Sequence, residues 1–428
     1  MRLTVEKMVY GGDGLARLPA DEHGRGKAAF VPFVLAGEEI EASLLEQKPG
    51  FARARAENIL EPSPHRVTPD CPYFQRCGGC HYQHADYEHQ LEIKAAILRE
   101  NLRRIAKLEL PSELRVHSSS EWNYRNRTRL RVQSSPEFAV GYYRFGSHEL
   151  LPIEQCPISS PLISRAISAF WDLGRHGRIP SELQEIEFFA NADDTQLLVE
   201  TYVVSEADHL ARWAEEVPGG FPEIVGLVVF RNPARAGMQP DRVALSGAEQ
   251  LDYKTKKAAY RVSAGSFFQT NRHLTDELVK IVTEGRSGRT ALDLYAGVGL
   301  FSSVLNREFE RVIAVESSPT SHADLLYNLP ANVKAVRSTT EQYLKKNPEQ
   351  LRADLVVVDP PRSGLGANVV RALIALGAPR ITYVSCDPAT LARDLRGLTA
   401  GGYQIEQTHL IDLFPQTYHL ESVFQLVK

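Results

Sequence analysis

No apolar run in the 428-residue sequence comes near the roughly 18 residues that a membrane-spanning helix needs. The first residues, MRLTVEKMVYGGDGL, also lack the basic and then apolar segments of a signal peptide. We therefore expect a cytoplasmic protein without membrane partners. Its composition, 43% hydrophobic and 24% charged, is that of a globular protein, and its length predicts two or three domains.

An excess of positive charge is also absent, since the net charge is −4, which argues against a uniformly basic surface for nucleic acid. A local basic patch is present nonetheless. Between Arg103 and Arg131 there are eight basic residues against three glutamates, and in NYRNRTRLRV, residues 123–132, cations alternate at the strand period. This pattern predicts several arginines on one strand face, either as a guide for RNA or as an ordinary solvated face.

Only five cysteines are present, and in a reducing compartment their clustering indicates a metal site before a disulfide. Cys71, Cys77 and Cys80 lie close together, and Cys156 follows much later. Four thiols can hold tetrahedral zinc or a [4Fe–4S] cluster. Zinc ribbons usually have two Cys-x-x-Cys knuckles, and one is present here, so the spacing favours a cluster with a structural role. Unpaired core cysteines are the alternative.

The hydrophobic pattern divides the chain into three parts. Residues 1–62 contain short alternating runs between glycine turns, which predict a small β-barrel. Residues 63–262 begin with a proline-rich loop and an amphipathic helix at about 87–108, and continue with strands and with helices near 160–175 and 205–217. In residues 263–428 helices and strands alternate, which predicts a doubly wound, mostly parallel sheet of the α/β class.

A third glycine is missing from the turn in ALDLYAGVGLFS, residues 291–302, so this turn is not a dinucleotide fingerprint. Gly297 and Gly299 would still let the backbone approach a ligand closely. Glu316 follows about twenty residues later at the end of the next strand, where a carboxylate can bind ribose hydroxyls. With Asp293 in the preceding strand, the pattern Asp-x-x-x-Gly-x-Gly resembles S-adenosylmethionine-dependent methyltransferases.

The fifth cysteine, Cys386, stands alone at a strand-to-helix corner in TYVSCDPATLARD, residues 382–394. Asp359 ends the preceding strand, and ligands of such sheets bind beyond the strand carboxyl ends, so both are expected to face one crevice. With a methyl donor beside them, Cys386 would add to C6 of uracil, and Glu421 would remove the C5 proton. Taken singly, Cys386 could be a small buried residue, and Glu421 and His419 ordinary surface residues. Their joint occurrence favours the site.

These motifs resemble those of the RNA uracil-C5 methyltransferases, which include bacterial tRNA and 23S rRNA 5-methyluridine enzymes. The motifs follow in family order over nearly the whole chain: GGDGLARL, AFVPFVLAGEEI, DCPYFQRCGGCHYQHADYEHQLEIK, NYRNRTRLRV, SFFQTN, DLYAGVGLFS, DPPRSG, SCDPATLARDL and DLFPQTYHLE. The resemblance implies a monomer with an OB-like RNA-binding TRAM barrel, a central α+β domain with an iron–sulfur cluster, and a Rossmann-like S-adenosylmethionine-dependent methyltransferase domain. It also implies that helix 87–108 packs with the catalytic domain.

The resemblance further implies individual roles. The [4Fe–4S] ligands would be Cys71, Cys77, Cys80 and Cys156. S-adenosylmethionine would contact Gln269, Tyr295, Gly297, Gly299, Glu316 and Asp359. Cys386 would be the nucleophile and Glu421 the base.

Three positions depart from the family pattern. Ala296 stands where family members often have cysteine, and Leu300 stands where an amide is common. Asp387 replaces the asparagine that usually follows the nucleophile, and it would raise the pKa of Cys386 if its carboxylate pointed inward. Thr339, or a neighbour, is expected on the adenine side of the cofactor.

The sequence therefore predicts methylation of uridine C5 in RNA, on a base that leaves the stack to reach the thiol. The barrel and the cysteines favour 23S rRNA over tRNA, because the tRNA enzymes of many bacteria lack both. Two further functions stay open. One is an RNA-binding or chaperone protein that has lost methylation. The other is DNA cytosine-C5 methylation, although Ser385 stands where those enzymes have a proline.

Overall fold

A computed structural model describes residues 1–20, 24, 26–110, 113–233, 239–330, 333–346 and 352–428. The strands are β1 (Arg2–Met8), β2 (Asp13–Arg17), β3 (Ala28–Pro32), β4 (Glu39–Gln47), β5 (Phe51–Glu61), β6 (Leu114–His117), β7 (Arg127–Gln133), β8 (Ala139–Tyr143), β9 (Leu150–Pro152), β10 (Leu183–Ala190), β11 (Leu197–Val203), β12 (Ile224–Arg231), β13 (Asp241–Gly247), β14 (Gln250–Lys254), β15 (Ala259–Ser263), β16 (Gly288–Leu294), β17 (Phe309–Glu316), β18 (Val333–Arg337), β19 (Leu355–Val358), β20 (Arg380–Ser385), β21 (Gln404–Ile411) and β22 (Glu421–Val427). The helices are α1 (Tyr87–Asn101), α2 (Pro161–Arg175), α3 (His209–Glu216), α4 (Thr275–Thr283), α5 (Ser302–Leu305), α6 (Pro319–Asn328), α7 (Thr340–Lys346), α8 (Gly366–Leu376) and α9 (Pro388–Ala400). Within these ranges, no helix is both long and apolar enough to cross a membrane.

The N-terminal strands close into a five-stranded barrel of order β1-β2-β3-β5-β4. Alternate residues of β1 point inward, so Leu3 and Val5 join a small core of mainly alanine and valine side chains. The predicted small barrel is therefore confirmed, and its architecture is consistent with an OB-like domain.

A seven-stranded sheet of order β13-β12-β11-β10-β7-β8-β9 follows. Its neighbours are antiparallel except for β11 and β12, which are parallel and flank α3. One face packs on α2 and α3. The other face, through Phe189 and Val228, shares a core with Tyr253 and Tyr260 of the β14–β15 hairpin and with Leu278 of α4. The central sheet is thus covered on both sides.

The third layer is an eight-stranded sheet of order β18-β17-β16-β19-β20-β22-β21-β6, in which β22 is antiparallel to its neighbours. Helices cover both faces, so the predicted doubly wound sheet is confirmed. The chain order reverses between β16 and β19, and this switch point opens a crevice beyond the strand carboxyl ends.

Part of the predicted middle segment, residues 63–262, belongs to this third layer. The predicted helix is present as α1 and a π-helical turn, Leu102–Ala106. Its residues Ala95 and Leu98 share a core with Leu391 of α9, and β6 pairs with β21 as the edge strand. The apolar stripe of α1 therefore packs on the methyltransferase sheet. The bounds 63–262 of the middle domain stay a prediction.

Candidate active site

Four predicted site residues stand at the carboxyl ends of neighbouring parallel strands. Tyr295 follows β16, Glu316 ends β17, Asp359 follows β19 and Cys386 follows β20. The register places Leu294 level with residues at the ends of both β17 and β19. These four side chains therefore lie along one edge of the sheet, at the crevice.

The glycine turn after β16 forms an open cradle. Gly297 and Gly299 adopt φ of +56° and +97°, which favours glycine. A Cβ on Gly299 would come within 3.0 Å of Leu325 Cδ1, whereas one on Gly297 would project into open space. Glu316 accepts hydrogen bonds from the amides of Gly297 at 2.9 Å and Ser318 at 2.6 Å. A carboxylate is thus fixed at the mouth of a space suited to a ligand with hydroxyl groups.

Tyr295 directly precedes this glycine turn, and Gln269 follows a residue of the core on which the turn packs. Tyr295 adopts φ of +65°, a conformation that costs a bulky residue about 1–3 kcal/mol and is typical of functional sites. Burial raises the pKa of Tyr295, and a hydrogen bond with Thr340, the neighbour of the predicted Thr339, opposes the rise. Gln269 is buried directly after Phe268, whose ring shares a core with Leu300 of the turn. Leu300 therefore packs as an apolar residue.

Two further carboxyl groups belong to the crevice, the buried Asp293 and the half-buried Asp359. Burial raises the pKa of Asp293 to about 7, although the hydroxyl of Ser302 donates a hydrogen bond to it. Burial and the neighbouring Asp293 charge also raise the pKa of Asp359. One oxygen of Asp293 is buried without a partner among the described residues. Both groups are therefore poised to change charge when the crevice changes its contents.

Cys386 and Glu421 face each other across two paired strands. Ser385 of β20 lies opposite Ser422 of β22, which brings the two functional side chains together at the strand ends. Burial, and then the charges of Glu421 and Asp359, raise the pKa of Cys386 to about 12, with Arg362 opposing the rise. Burial and Asp359 likewise raise the pKa of Glu421 well above its usual range. A thiol and a carboxylic acid thus share one desolvated site.

Asp387 turns away from this pair. Its carboxylate caps α9 and accepts hydrogen bonds from the amides of Ala389 at 3.1 Å and Thr390 at 2.8 Å. The causes that raise the Cys386 pKa are burial, Glu421 and Asp359. The expected effect of an inward Asp387 carboxylate is therefore not realised, since that carboxylate is used at the helix N-terminus.

Arg362 and His419 form a pair that the sequence reasoning did not assign. Nη2 of Arg362 donates to Nδ1 of His419 at 2.9 Å. Burial and the Arg362 charge lower the pKa of His419 to about 3, so the imidazole is neutral and can accept this bond. Arg362 stands three positions after Asp359 in DPPRSG. A cation this close in sequence to a candidate site carboxylate is the signal from which its place in the site could have been predicted. The Arg362 charge also lowers the pKa values of both Cys386 and Glu421, against the rise caused by burial.

The turn before Glu421 is hydrogen-bonded to two segments that are not strands of the sheet. Gln416, at φ of +68°, accepts hydrogen bonds on its carbonyl from the amides of His81 at 2.8 Å and Tyr82 at 3.0 Å. Its amide donates to Gln90 of α1, and the two side-chain amides are also bonded at 2.9 Å. The segment after Cys80 and helix α1 therefore both position the loop that precedes Glu421.

The four cysteines of the predicted cluster meet at one cavity of about 240 Å³, which is also lined by Arg125. Burial raises the pKa of Cys77 to about 11, and the charges of Cys156 and Cys71 add to the rise. Zinc requires sulfurs about 3.8 Å apart. Among the described residues, the one group of three or more ligand side chains within 4.8 Å of one another is His65, His89 and Glu92. No three of the four thiols lie within that distance of one another.

The arginine stripe of residues 125–131 does not present free cations. The predicted single strand face is confirmed, but Arg125 lines the cysteine cavity and the other arginines meet glutamates of β10 and β11. The pairs are Arg127 with Glu187 and with Glu200 (3.0 Å), Arg129 with Glu187 (2.5 Å), and Arg131 with Glu185 (2.8 Å). The expectation that this stripe guides RNA therefore stays a prediction, in which Arg127, Arg129 and Arg131 are held by glutamates of the same sheet.

The chain is similar to known proteins over nearly its whole length. Residues 86–428 match the family model described as tRNA (Uracil-5-)-methyltransferase. An RNA methyltransferase of Aquifex aeolicus (strain VF5) is 35% identical over 432 residues, which is 99% of this chain and 97% of that protein. An RNA methyltransferase of Caldanaerobacter subterraneus subsp. tengcongensis is 31% identical over 443 residues, with 98% and 96% covered.

A solved structure is similar over its whole length. The crystal structure of Pyrococcus abyssi tRNA (uracil-54, C5)-methyltransferase in complex with S-adenosyl-L-homocysteine has a TM-score of 0.77 and 25% identity, and the match covers 100% of both chains. Because that match includes the barrel, the barrel does not separate rRNA enzymes from tRNA enzymes. The chain is a methyltransferase, and it belongs to the tRNA (uracil-5-)-methyltransferase family.

Proposed function

We propose that the protein methylates C5 of a uridine in RNA, with S-adenosylmethionine as the methyl donor. The observation that carries this proposal is the pairing of β20 with β22, which sets Cys386 beside Glu421 at the same strand edge as the Glu316 cradle. A nucleophile and a base on neighbouring strands, next to a ligand cradle, are what C5 methylation of a pyrimidine requires.

S-adenosylmethionine would supply a methyl group on a positively charged sulfur. The residues that would hold it are Gln269, Tyr295, Gly297, Gly299, Glu316 and Asp359. They fit this group because the turn at Gly297 leaves open space beside a fixed carboxylate, and because the half-buried carboxyl of Asp359 favours a cation.

Cys386 would act as the nucleophile. Its sulfur bonds to C6 of the uracil, and the displaced electron pair makes C5 able to accept a methyl group. Glu421 then accepts the C5 proton, the C6–S bond breaks, and its electron pair returns to the sulfur. Both groups must first lose their own protons, since burial raises both pKa values, and Arg362 is the cation that assists.

We further propose that Cys71, Cys77, Cys80 and Cys156 hold a [4Fe–4S] cluster with a structural role. The amides of His81 and Tyr82 follow Cys80 directly and bond the Gln416 carbonyl. A cluster that fixes Cys80 would therefore support the loop that precedes Glu421. Protein purified without oxygen should contain iron and sulfide and lose both in Cys156→Ala. Zinc as the sole bound metal would contradict this assignment.

The RNA substrate we propose first is 23S rRNA, on the resemblance carried by the four cysteines. tRNA is the second candidate, and the full-length similarity to a tRNA (uracil-54, C5)-methyltransferase favours it. Incubation of the protein with tritiated S-adenosylmethionine and either unmodified 23S rRNA or unmodified tRNA, followed by mass spectrometry of nucleosides, separates the two.

The reaction itself is tested with a 5-fluorouracil-containing RNA. Because fluorine cannot leave as a proton does, the native protein should stay bonded to this RNA through Cys386, and Cys386→Ala should form no adduct. Methylation by the native protein with no trapped adduct would reject the covalent route. A native protein that neither methylates nor is trapped would favour an RNA-binding role.

A further inference from the structure

The N-terminal barrel reaches the nucleophile. Tyr10 lies in the turn between β1 and β2, and its hydroxyl donates a hydrogen bond to the carbonyl of Cys386 at 3.3 Å, across 376 positions of sequence. The ring of Tyr10 also meets the ring of Tyr418 edge-on, with centroids 5.4 Å apart. One barrel side chain thus contacts both the Cys386 corner and the loop before Glu421.

The carbonyl that Tyr10 binds lies in a gap between two regular elements. The β20 ladder ends at Ser385, and the first bond of α9 runs from the amide of Leu391 to the carbonyl of Asp387. The Cys386 carbonyl stands between these two. A donor there restrains the peptide that follows the nucleophile, because a buried carbonyl favours the orientation in which it is bonded.

The β1–β2 turn has the conformation that this approach needs. Gly11 and Gly12 adopt φ of +110° and +96°. A Cβ on Gly12 would lie 2.9 Å from Cβ of His81, so the turn packs directly on the segment that follows Cys80. The ring of His81 in turn meets Tyr418 at 4.6 Å. The turn is therefore seated among the segments that position Cys386 and Glu421.

The charge of the barrel does not favour capture of RNA as its main role. Residues 1–62 contain eight basic and ten acidic residues. This negative balance gives the barrel as a whole no electrostatic attraction for the phosphate backbone. The direct contact between Tyr10 and Cys386 is thus the better-supported route from the barrel to the reaction.

We propose that Tyr10 is a positioning residue for methylation, which holds the Cys386 peptide by its hydroxyl and the Tyr418 loop by its ring, so that the barrel completes the active site. The proposal rests on Cys386 being the nucleophile. It deepens the proposed function by assigning the barrel a part in the chemical step.

The test compares Tyr10→Phe and Tyr10→Ala with the native full-length protein. Tyr327→Phe is the matched control, since it also removes a tyrosine hydroxyl, but from a side chain that is 68% exposed on α6. Single-turnover methylation at saturating RNA, the KM for RNA, and the rate of adduct formation with 5-fluorouracil RNA are measured together with the melting temperature.

Tyr10→Phe should slow methylation and adduct formation about three- to tenfold with KM unchanged, as expected for one lost hydrogen bond. Tyr10→Ala should slow both further, because the ring contact is lost as well, and Tyr327→Phe should match the native protein. A native rate in Tyr10→Phe, or an effect confined to KM, would overturn the inference. If the native protein itself forms no adduct, the proposed covalent function fails instead, so the two failures are distinguishable. If Tyr10→Ala does not fold, Tyr10→Phe alone is compared with the native protein.

Discussion

Buried charges are arranged in opposite ways in the central sheet and in the crevice of the methyltransferase sheet. On the central sheet, burial raises the pKa of Glu187, but the charges of Arg127 and Arg129 outweigh it and the net shift is downward. In the crevice, the pKa values of Asp359 and Glu421 are raised. Paired charges of the first kind stabilise the fold, whereas acids whose raised pKa values no cation outweighs are typical of sites where a reaction takes place. The contrast predicts which substitutions affect activity and which affect stability.

The largest expected effect comes from Cys386→Ala. Methylation should fall roughly 10⁴-fold or more, because the covalent route is removed. The melting temperature should stay near that of the native protein, since the side chain is partly exposed. Unchanged binding of S-adenosylmethionine by calorimetry serves as the control for folding. Methylation at the native rate would show that the reaction does not require the Cys386 thiol.

Glu421→Gln should slow turnover by about 10²–10⁴-fold, because removal of the C5 proton loses its base. A methylated RNA should then remain bonded to Cys386 and should be visible as a slowly migrating band on a denaturing gel. The uncharged amide should also leave the melting temperature unchanged or raised, since burial disfavours the charged carboxylate. Loss of stability without trapped RNA would assign Glu421 to the fold rather than the reaction.

Arg127→Met tests the paired charges of the central sheet. Removing this guanidinium leaves Glu200 without its arginine and Glu187 with one arginine instead of two. The free energy of unfolding should fall by about 3–5 kcal/mol, as for other broken buried pairs. Arg131→Met is the matched control, because that side chain is 40% exposed and should cost about 0–1 kcal/mol. Urea unfolding gives both values, and the methylation rate per folded molecule should not change.

The smallest effect concerns pH. The folded pKa of Asp359 lies above its ordinary value, so its unfolded form loses the proton first and stability falls as pH rises from about 4 towards 7. Asp359→Asn should therefore stabilise the ligand-free protein at pH 8 by on the order of 2 kcal/mol and flatten its stability profile.

Glu187→Gln should have the reverse sign. Because the folded pKa of Glu187 is lowered, its carboxylate stabilises the protein above the unfolded pKa and loses that effect as pH falls. Thermal unfolding of both variants between pH 4 and 8 checks the contrast. Profiles that move in the same direction would show that the two regions do not differ.

The crevice was predictable because each of its residues is marked by its own local sequence. Glu316, Asp359 and Cys386 each stand at the end of an apolar strand, and parallel strands bring such ends together. The glycine turn needs no distant information either. The four cysteines were grouped by the tight trio and by the scarcity of the residue.

The remaining features depend on partners that no local pattern reveals. The alternation in β7 predicted one arginine face, but the Glu187 partner lies 60 positions away on another strand. Arg362 and His419 are separated by 57 positions, and Tyr10 and Cys386 by 376. Periodicity shows which face of an element a side chain occupies, whereas tertiary packing determines which residue that side chain contacts.

The edge strand β6 has a consequence for how the chain is made. Arg115 of β6 bonds Gln407 of β21, although 292 residues separate them. During synthesis, β6 cannot pair until the ribosome has made β21, near the end of the methyltransferase half. Likewise, α1 cannot pack against α9 until α9 has been made. Nascent chains stopped before α9 should therefore expose the apolar side of α1 and depend on chaperones, and the enzyme should gain activity in a single late step.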